Sequence, residues 1–523
     1  MESLTKIHTE AVNRRRQIID LEDANTPFEA LDMDIGEWIE HRFNLIDTSG
    51  CQIDTVFWDV GMSEDSYAVH LNSKLLEPYS HPGLNRWREQ GIDWIKTLVD
   101  ESHKRGLEVF WSHRIGAIDS PQPFCDCEFD DPCRENPLKT AHPDWTNKCW
   151  WPQGLWNLAN QELRKHKLRF LSEIIEQYDF DGFLIDFARH TPCLPLGKEW
   201  IFRNEATQFV CEVRNLLLKM EHKKNKAILL AVRTAENIPG CHADGFDVEQ
   251  WAKDELVDIF MLGGRTSEVN IDDFRRITAG KNIKLCPVFD GHHANDGYYC
   301  PPIEYYRGVF SNWLQQGADC VAIFNWPCSN APQHDELAYD PAMRSPALHQ
   351  AVFEVGTLES MCGKNKMYAV ERRGGYPYAG SYLYRNDDKP LPLKITRDKL
   401  SPELKLAIHE QFDPMRYTAR LDVILWHVQT DDILKVQFND VELKLLASDN
   451  SWLDGQIYCD KPQPVAGNWS CFAVDPKYKL LKVSYKVKAA CVKNGLNNVK
   501  ISFQNDILVK TMTIEKIELT FLN

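Results

Sequence analysis

The sequence predicts an α/β protein in which a (β/α)8 TIM barrel over residues 1–345 is followed by a smaller all-β sandwich over 365–523. Three observations lead there. The first 330 residues alternate apolar, strand-like runs with segments of helical spacing. The apolar runs between residues 53 and 326 number eight, and strand–helix alternation implies parallel pairing, because parallel neighbours need a crossover. From about residue 366 the texture changes to short β runs separated by polar turns, the pattern of a sandwich. Eight parallel units close a barrel. A doubly wound open sheet is the competing arrangement, but no Gly-rich phosphate loop follows any strand.

In order, I-D-T-V-F-W-D (53–59) is the first apolar run, and residues 86–104 follow with helical spacing at Trp87, Trp94, Ile95 and Leu98. L-E-V-F-W-S-H-R (107–114) is the second strand. A loop rich in Pro, Cys and Trp occupies 115–153, and G-L-W-N (154–157) is a short third strand. Leu163, Leu168, Leu171, Ile175 and Tyr178 share one face of a helix over 160–178. D-G-F-L-I-D-F (181–187) is the fourth strand, and a helix follows at 202–221. The runs at 227–233, 257–265, 283–290 and 320–326 complete the series. The boundary between domains falls between Asn330 and Lys364. Beyond it lie Y-L-Y-R, L-D-V-I-L-W-H-V, I-L-K-V-Q-F, L-L-K-V-S-Y-K-V and V-K-I-S-F, with N-D-D-K-P and N-G-L-N-N as turns.

Composition narrows the function. Hydrophobic residues are 43% of the 523, enough for a large core, and the net charge is −16. The basic stripe of a nucleic-acid binder is missing, and an acidic chain is a poor fit to an anionic membrane. The N-terminal stretch has no apolar h-region, and no window approaches the ~18 apolar residues of a membrane span. A cytoplasmic location is the expectation, and the 16 cysteines agree with it, since Cys211, Cys286 and Cys320 sit in apolar runs as small hydrophobes. Cys125, Cys127 and Cys133, with Cys149 nearby, form one cluster, but C-x-C followed by a five-residue gap is a poor match to zinc spacing. No cofactor is called for.

Active sites of parallel barrels form at the C-terminal ends of the strands. Strand ends here deliver Asp59, then His113 and Arg114, then Asp186 with Arg189 and His190. They continue with Arg233 and Glu236, Arg265, Asp290 with His292 and His293, and finally Asn325 and Trp326. Repeated at most strands, this describes a titratable cup on a rigid scaffold. Two carboxylates across a cleft suit glycoside hydrolysis. Asp186 is the first, at the end of the most apolar strand, and Asp290, Glu236 and Asp59 rank in that order for the second. Arg114, Arg189, Arg233 and Arg265 either recognise an anionic sugar (uronic, sialic or sulfated) or pair with the mouth carboxylates. Trp150, Trp151, Trp156 and Trp326 offer stacking faces for sugar rings. His113, Asp290 and His292 are the set a metal-dependent hydrolase or lyase would use. A non-catalytic carbohydrate-binding barrel is the remaining alternative, and it would lack a second carboxylate facing Asp186.

D-G-F-L-I-D-F-A-R-H resembles the strand-four motif of the α-amylase superfamily, G-F-R-x-D-x-x-K/R-H. The resemblance implies a nucleophilic Asp186, a His190 lining the sugar site and Arg189 at the basic position, while Leu184 stands where that family has arginine. Residues 50–330 are similar to glycoside-hydrolase-like barrel proteins of bacterial polysaccharide degraders, through R-F-L-S-E-I-I-E-Q-Y-D-F-D-G-F-L-I-D-F, the A-V-R strand and D-V-E-Q-W-A-K-D-E-L-V-D. V-K-N-G-L-N-N-V-K-I-S-F resembles the turn of galactose-binding-like sandwiches. Together these imply a glycoside hydrolase with a carbohydrate substrate. Asp186 would be nucleophile or base, Asp290 or Glu236 the acid, and Asp59, His113, Arg114, Arg189, His190, Arg233, Asn325 and Trp326 would line the substrate site. The sandwich would brace the barrel or a homodimer contact.

Overall fold

Parallel pairing closes the first eight long strands into a ring. The computed structural model describes residues 4–23, 33–59, 66–116, 136–149, 153–188, 190–264, 266–290, 298, 301–324, 346–372, 389–396, 400–410, 412–413, 416–454, 479–504 and 512–523. The barrel strands are β1 (Ile18–Asp23), β2 (Ile53–Asp59), β3 (Glu108–Arg114), β6 (Gly182–Asp186), β7 (Leu229–Thr234), β8 (Ile259–Leu262), β9 (Lys284–Phe289) and β10 (Val321–Phe324). They run in the order β1-β10-β9-β8-β7-β6-β3-β2, with β1 pairing both β10 and β2. Between β3 and β6, β4 (Thr146–Asn147) and β5 (Leu155–Trp156) form a small antiparallel ladder of their own.

Two strand assignments change. G-L-W-N is not a barrel strand: β5 within it has two residues, too few to cross a barrel, and among the described residues it pairs with β4 alone. The barrel instead begins with I-I-D-L-E-D, whose alternating acids disguise a strand buried on both faces. Glu22 is accommodated by Arg42, whose Nη1 lies 3.3 Å from Oε1. The two changes cancel, so G-F-L-I-D is still the fourth strand of the ring.

Side chains of a strand alternate between faces, and the packing divides accordingly. Ile19, Leu21, Phe57, Phe110, Leu184, Leu229, Ala231, Ile259, Met261, Cys286, Val288, Ala322 and Phe324 fill the barrel interior as one cluster. Val56, Trp58, Val109, Trp111, Phe183, Ile185, Leu230, Val232 and Phe260 face the helices. The expected helix at 160–178 is Gln161–Gln177, started by the Asn160 side chain, which accepts from the Glu162 and Leu163 N–H groups. The expected 86–104 segment is two helices, Pro82–Glu89 and Trp94–Lys104.

The floor of the barrel is closed by the helix Lys6–Val12, which contributes Val12 to the interior cluster. His8 anchors it, with Nδ1 2.7 Å from Glu221 Oε2 and Nε2 2.9 Å from Asp258 Oδ1. Arg214 holds the same aspartate through contacts of 2.6 and 2.9 Å. Burial alone would lower the His8 pKa, but hydrogen bonds to Asp258 and Glu221 outweigh it and raise it to about 9.

The C-terminal region is two antiparallel sheets. One joins β11 (Lys366–Ala369), β12 (Leu393–Ile395), β14 (Thr418–Trp426), β17 (Lys444–Trp452), β18 (Leu480–Val487) and β20 (Met512–Leu522). The other joins β13 (Glu403–Ile408), β15 (Ile433–Phe438), β16 (Val441–Glu442) and β19 (Gly495–Phe503). Leu421, Val423, Val483, Ile517 and Leu519 of the first sheet share one core with Leu406, Val436, Val499 and Ile501 of the second, which makes a sandwich. N-G-L-N-N, expected as a turn, is mostly the first half of β19. Y-L-Y-R lies outside the described residues. The barrel's core continues through Ala351, Val352, Val355 and Met361 to Met367, and the sandwich core begins at Tyr368. No helix among the described residues is long and apolar enough to cross a membrane.

Candidate active site

Above the apolar interior, the inward parity ends in charge. Counting by twos from Phe57, Phe110, Leu184 and Ala231 reaches Asp59, Arg114, Asp186 and Arg233. Arg114, Asp186 and Arg233 are direct register partners on the adjacent strands β3, β6 and β7. Arg114 Nε lies 2.6 Å from Asp59 Oδ2. Arg233 Nη1 donates to Asp186 Oδ2 at 3.2 Å. The Ala188 N–H donates to Asp186 Oδ1 at 2.9 Å, so both oxygens of that carboxylate are fixed. All four side chains are buried. Phe324, at the end of β10, closes the layer from across the ring, 4.4 Å below the Arg233 guanidinium and 5.8 Å from that of Arg114.

The loop after β8 completes one wall. Gly263 O accepts from Arg233 Nε at 3.0 Å. Gly264 has φ +138°, and a Cβ there would collide with Arg233 Nη2, so only glycine lets this backbone lie against the guanidinium. Glu236, fully buried, backs onto Gly263, and its carbonyl accepts from the Asn270 N–H at 3.0 Å. Asp290 directly follows β9, is fully buried, and continues the inward parity of Cys286 and Val288.

His190 is buried beside β3, its backbone against Gly116, where a Cβ would collide with the His190 carbonyl oxygen. His113 belongs elsewhere. It has the parity of Val109 and Trp111, and its ring lies 5.7 Å from Phe170 on the helix Gln161–Gln177, so it faces the helix layer and not the barrel interior. Adjacent residues of a strand cannot share a face, so His113 and Arg114 cannot both line the mouth. The same parity separates His113 from Asp290, two members of the metal set named with His292. No group of three or more His, Cys, Asp or Glu able to hold a metal occurs among the described residues. Trp156 is also not a sugar platform: it is buried with Trp145 and Leu163, between the ammonium groups of Lys139 and Lys167 at 5.0 and 5.6 Å. Arg189, Arg265, His292, His293, Asn325, Trp326, Trp150, Trp151, Cys125, Cys127 and Cys133 lie outside the described residues.

Phe324 and the Gly263–Gly264 pair are the site residues that strand-end reading passes over. Parity counted from Ala322 turns Phe324 inward but does not mark it as part of a site. Two buried thiols stand near the mouth, Cys193 and Cys241, and burial raises the pKa of each far above the usual thiol range. Neither is a thiolate nucleophile at neutral pH.

Fold and site together define a parallel (β/α)8 barrel with a buried, charge-paired layer of carboxylates and arginines at the C-terminal end of its strands. The sequence matches no known protein family and no curated protein. Similar solved structures include alpha-L-fucosidase isoenzyme 2 from Paenibacillus thiaminolyticus, at 14% identity and TM-score 0.43 over 68% of this chain and 52% of that one. Others are an endo-1,4-beta-mannanase from Rhizomucor miehei (9% identity, TM-score 0.41, 64% of this chain and 94% of that one) and a GH27 β-L-arabinopyranosidase from Geobacillus stearothermophilus (10% identity, TM-score 0.39, 95% and 98%). This chain therefore spans about half the length of the fucosidase.

Proposed function

We propose that this chain is a glycoside hydrolase that cleaves a glycosidic bond with two carboxylates, Asp186 acting as nucleophile or as the base that activates water. The observation that carries the reading is the state of Asp186: inward at the end of the fourth barrel strand, fully buried, with one oxygen on a backbone N–H and the other on Arg233. A carboxylate so fixed is aimed before substrate arrives, and its charge is balanced by a neighbour that can also stabilise a developing transition state. Asp290 and Glu236, both buried at the same end of the barrel, are the candidates for the acid. Arg114 and His190 complete the substrate-facing set, with Asp59 holding Arg114. A separation of about 5–5.5 Å between the reacting carboxylates would give retention, and about 6.5–9.5 Å inversion. Arg114 and Arg233 are engaged by Asp59 and Asp186, the pairing that stands as the alternative to recognition of an acidic sugar.

The test is a panel of neutral and acidic aryl glycosides, with and without chelator, against wild type and Asp186→Asn. The expected result is hydrolysis of at least one glycoside, indifferent to chelator, with the variant losing at least ~100-fold, a transition-state loss of about 2.7 kcal/mol. Binding of sugar without turnover by either protein would turn the reading to a non-catalytic carbohydrate binder. Wild-type activity in the variant would make Asp186 structural.

A further inference from the structure

Glu371 follows β11 at the start of the sandwich and is 1% exposed. Its Oε2 accepts from the Ser267 N–H at 3.0 Å, from the Glu268 N–H at 3.1 Å and from the Ser267 hydroxyl. The Ser267 carbonyl accepts in turn from Trp313 Nε1 at 2.9 Å, and Lys389 Nζ stands 3.8 Å from Glu268. Buried backbone N–H groups need acceptors, and for this stretch of the barrel the sandwich supplies one.

The residues held in this way form the middle of the loop after β8. Its first end carries Gly263, whose carbonyl receives Arg233 Nε, and its last end carries Asn270, whose N–H reaches the Glu236 carbonyl. One end therefore seats the partner of Asp186, the other seats a candidate acid, and Glu371 fixes the centre. We propose that Glu371 is a positioning residue: through residues 263–270 it holds Arg233 on Asp186 and Glu236 in place, so the sandwich is a working part of the site. The link to catalysis rests on the glycosidase reading; the link to the loop rests on the contacts alone.

The test uses the full chain and three variants, Glu371→Ala, Glu371→Gln and Ser267→Ala. Ser267→Ala removes a donor from the same contact while leaving the sandwich intact, which keeps the test sound if loss of Glu371 impairs folding. The first readout, amide hydrogen exchange, needs no substrate. Exchange across 263–270 should rise about tenfold in Glu371→Ala and measurably in Ser267→Ala, with the amides of β14 and β18 unchanged. The glutamine variant should recover part of the protection. The second readout is kinetics on a glycoside that wild type cleaves: kcat should fall roughly 10- to 100-fold with KM held within about twofold. Unchanged exchange in the loop, a rise spread evenly through the sandwich, or a loosened loop with wild-type kcat would each overturn the proposal. Should wild type cleave no glycoside, the glycosidase reading fails by itself, and exchange still decides whether Glu371 holds the loop.

Discussion

The guanidinium at position 233 meets Asp186 Oδ2 at 3.2 Å, the Gly263 carbonyl at 3.0 Å and the face of Phe324 at 4.4 Å. Removing one member of a buried ion pair strands the other, at a cost of about 3–5 kcal/mol. Arg233→Met should show that loss in guanidinium denaturation, and the double variant Asp186→Asn with Arg233→Met should regain a good part of it. Recovery measures coupling between the two groups; a simple sum of the single losses would mean they act apart. Asp186, Arg233, Arg114 and Asp59 could be read from the sequence because each ends an apolar run and all four share its inward parity. His113 could not be separated from Arg114 by position at a strand end, although a count by twos separates them. Phe324 stayed hidden because an apolar residue in an apolar strand gives no signal. Its role comes from facing two arginines across the ring, which is tertiary information.

At the scale of elements, seven of the eight barrel strands stand out as apolar runs, and β1 does not. Asp20 and Glu22 break its apolar pattern, and they are tolerated because helices carrying partners such as Arg42 pack outside it. The helix Lys6–Val12 escapes sequence reading for a related reason, since its anchor, His8, finds Glu221 and Asp258 only after folding. That anchor predicts a pH dependence. Because the folded pKa of His8 is raised from 6.5 to about 9, its stabilisation is fully present below 6.5 and is lost as pH rises through 9. Asp258 behaves in the opposite sense. Burial opposes its ionisation, but Arg214 and His8 bring its pKa down to about 2, so its contribution is present above the usual carboxylate range and lost as pH falls through 2. Urea denaturation between pH 6 and 10 should show wild type losing roughly 3 kcal/mol more than His8→Gln. Parallel curves for the two proteins would disprove the clamp.

On the scale of the whole molecule, the barrel and the sandwich meet along the helix Ile303–Gln315. Asn312 acts there like a piece of extra strand: its Nδ2 donates to the Ala407 carbonyl at 3.0 Å, and its Oδ1 accepts from the His409 N–H at 2.7 Å. Ser311 and Tyr368 both donate to Glu410 Oε2, and Lys366 pairs with Oε1 at 2.6 Å. Asn312→Leu leaves two backbone groups without partners, and thermal unfolding should report a loss of about 2 kcal/mol. The two-domain plan is visible in the sequence as a change of periodicity, whereas the contact between domains is not, because residues far apart in the chain, such as Ser267 with Glu371 and Tyr298 with Glu518, make it. Ring closure has a further consequence, for synthesis. Ile18 pairs with Val321, so the first barrel strand waits for the last across some 300 residues. At about 5–20 residues per second, a ribosome leaves that seam open for roughly 15 to 60 s. Throughout that interval the nascent sheet presents an unpaired apolar edge of the kind that invites aggregation. This chain should therefore depend on chaperones during translation more than its finished, edgeless barrel would suggest.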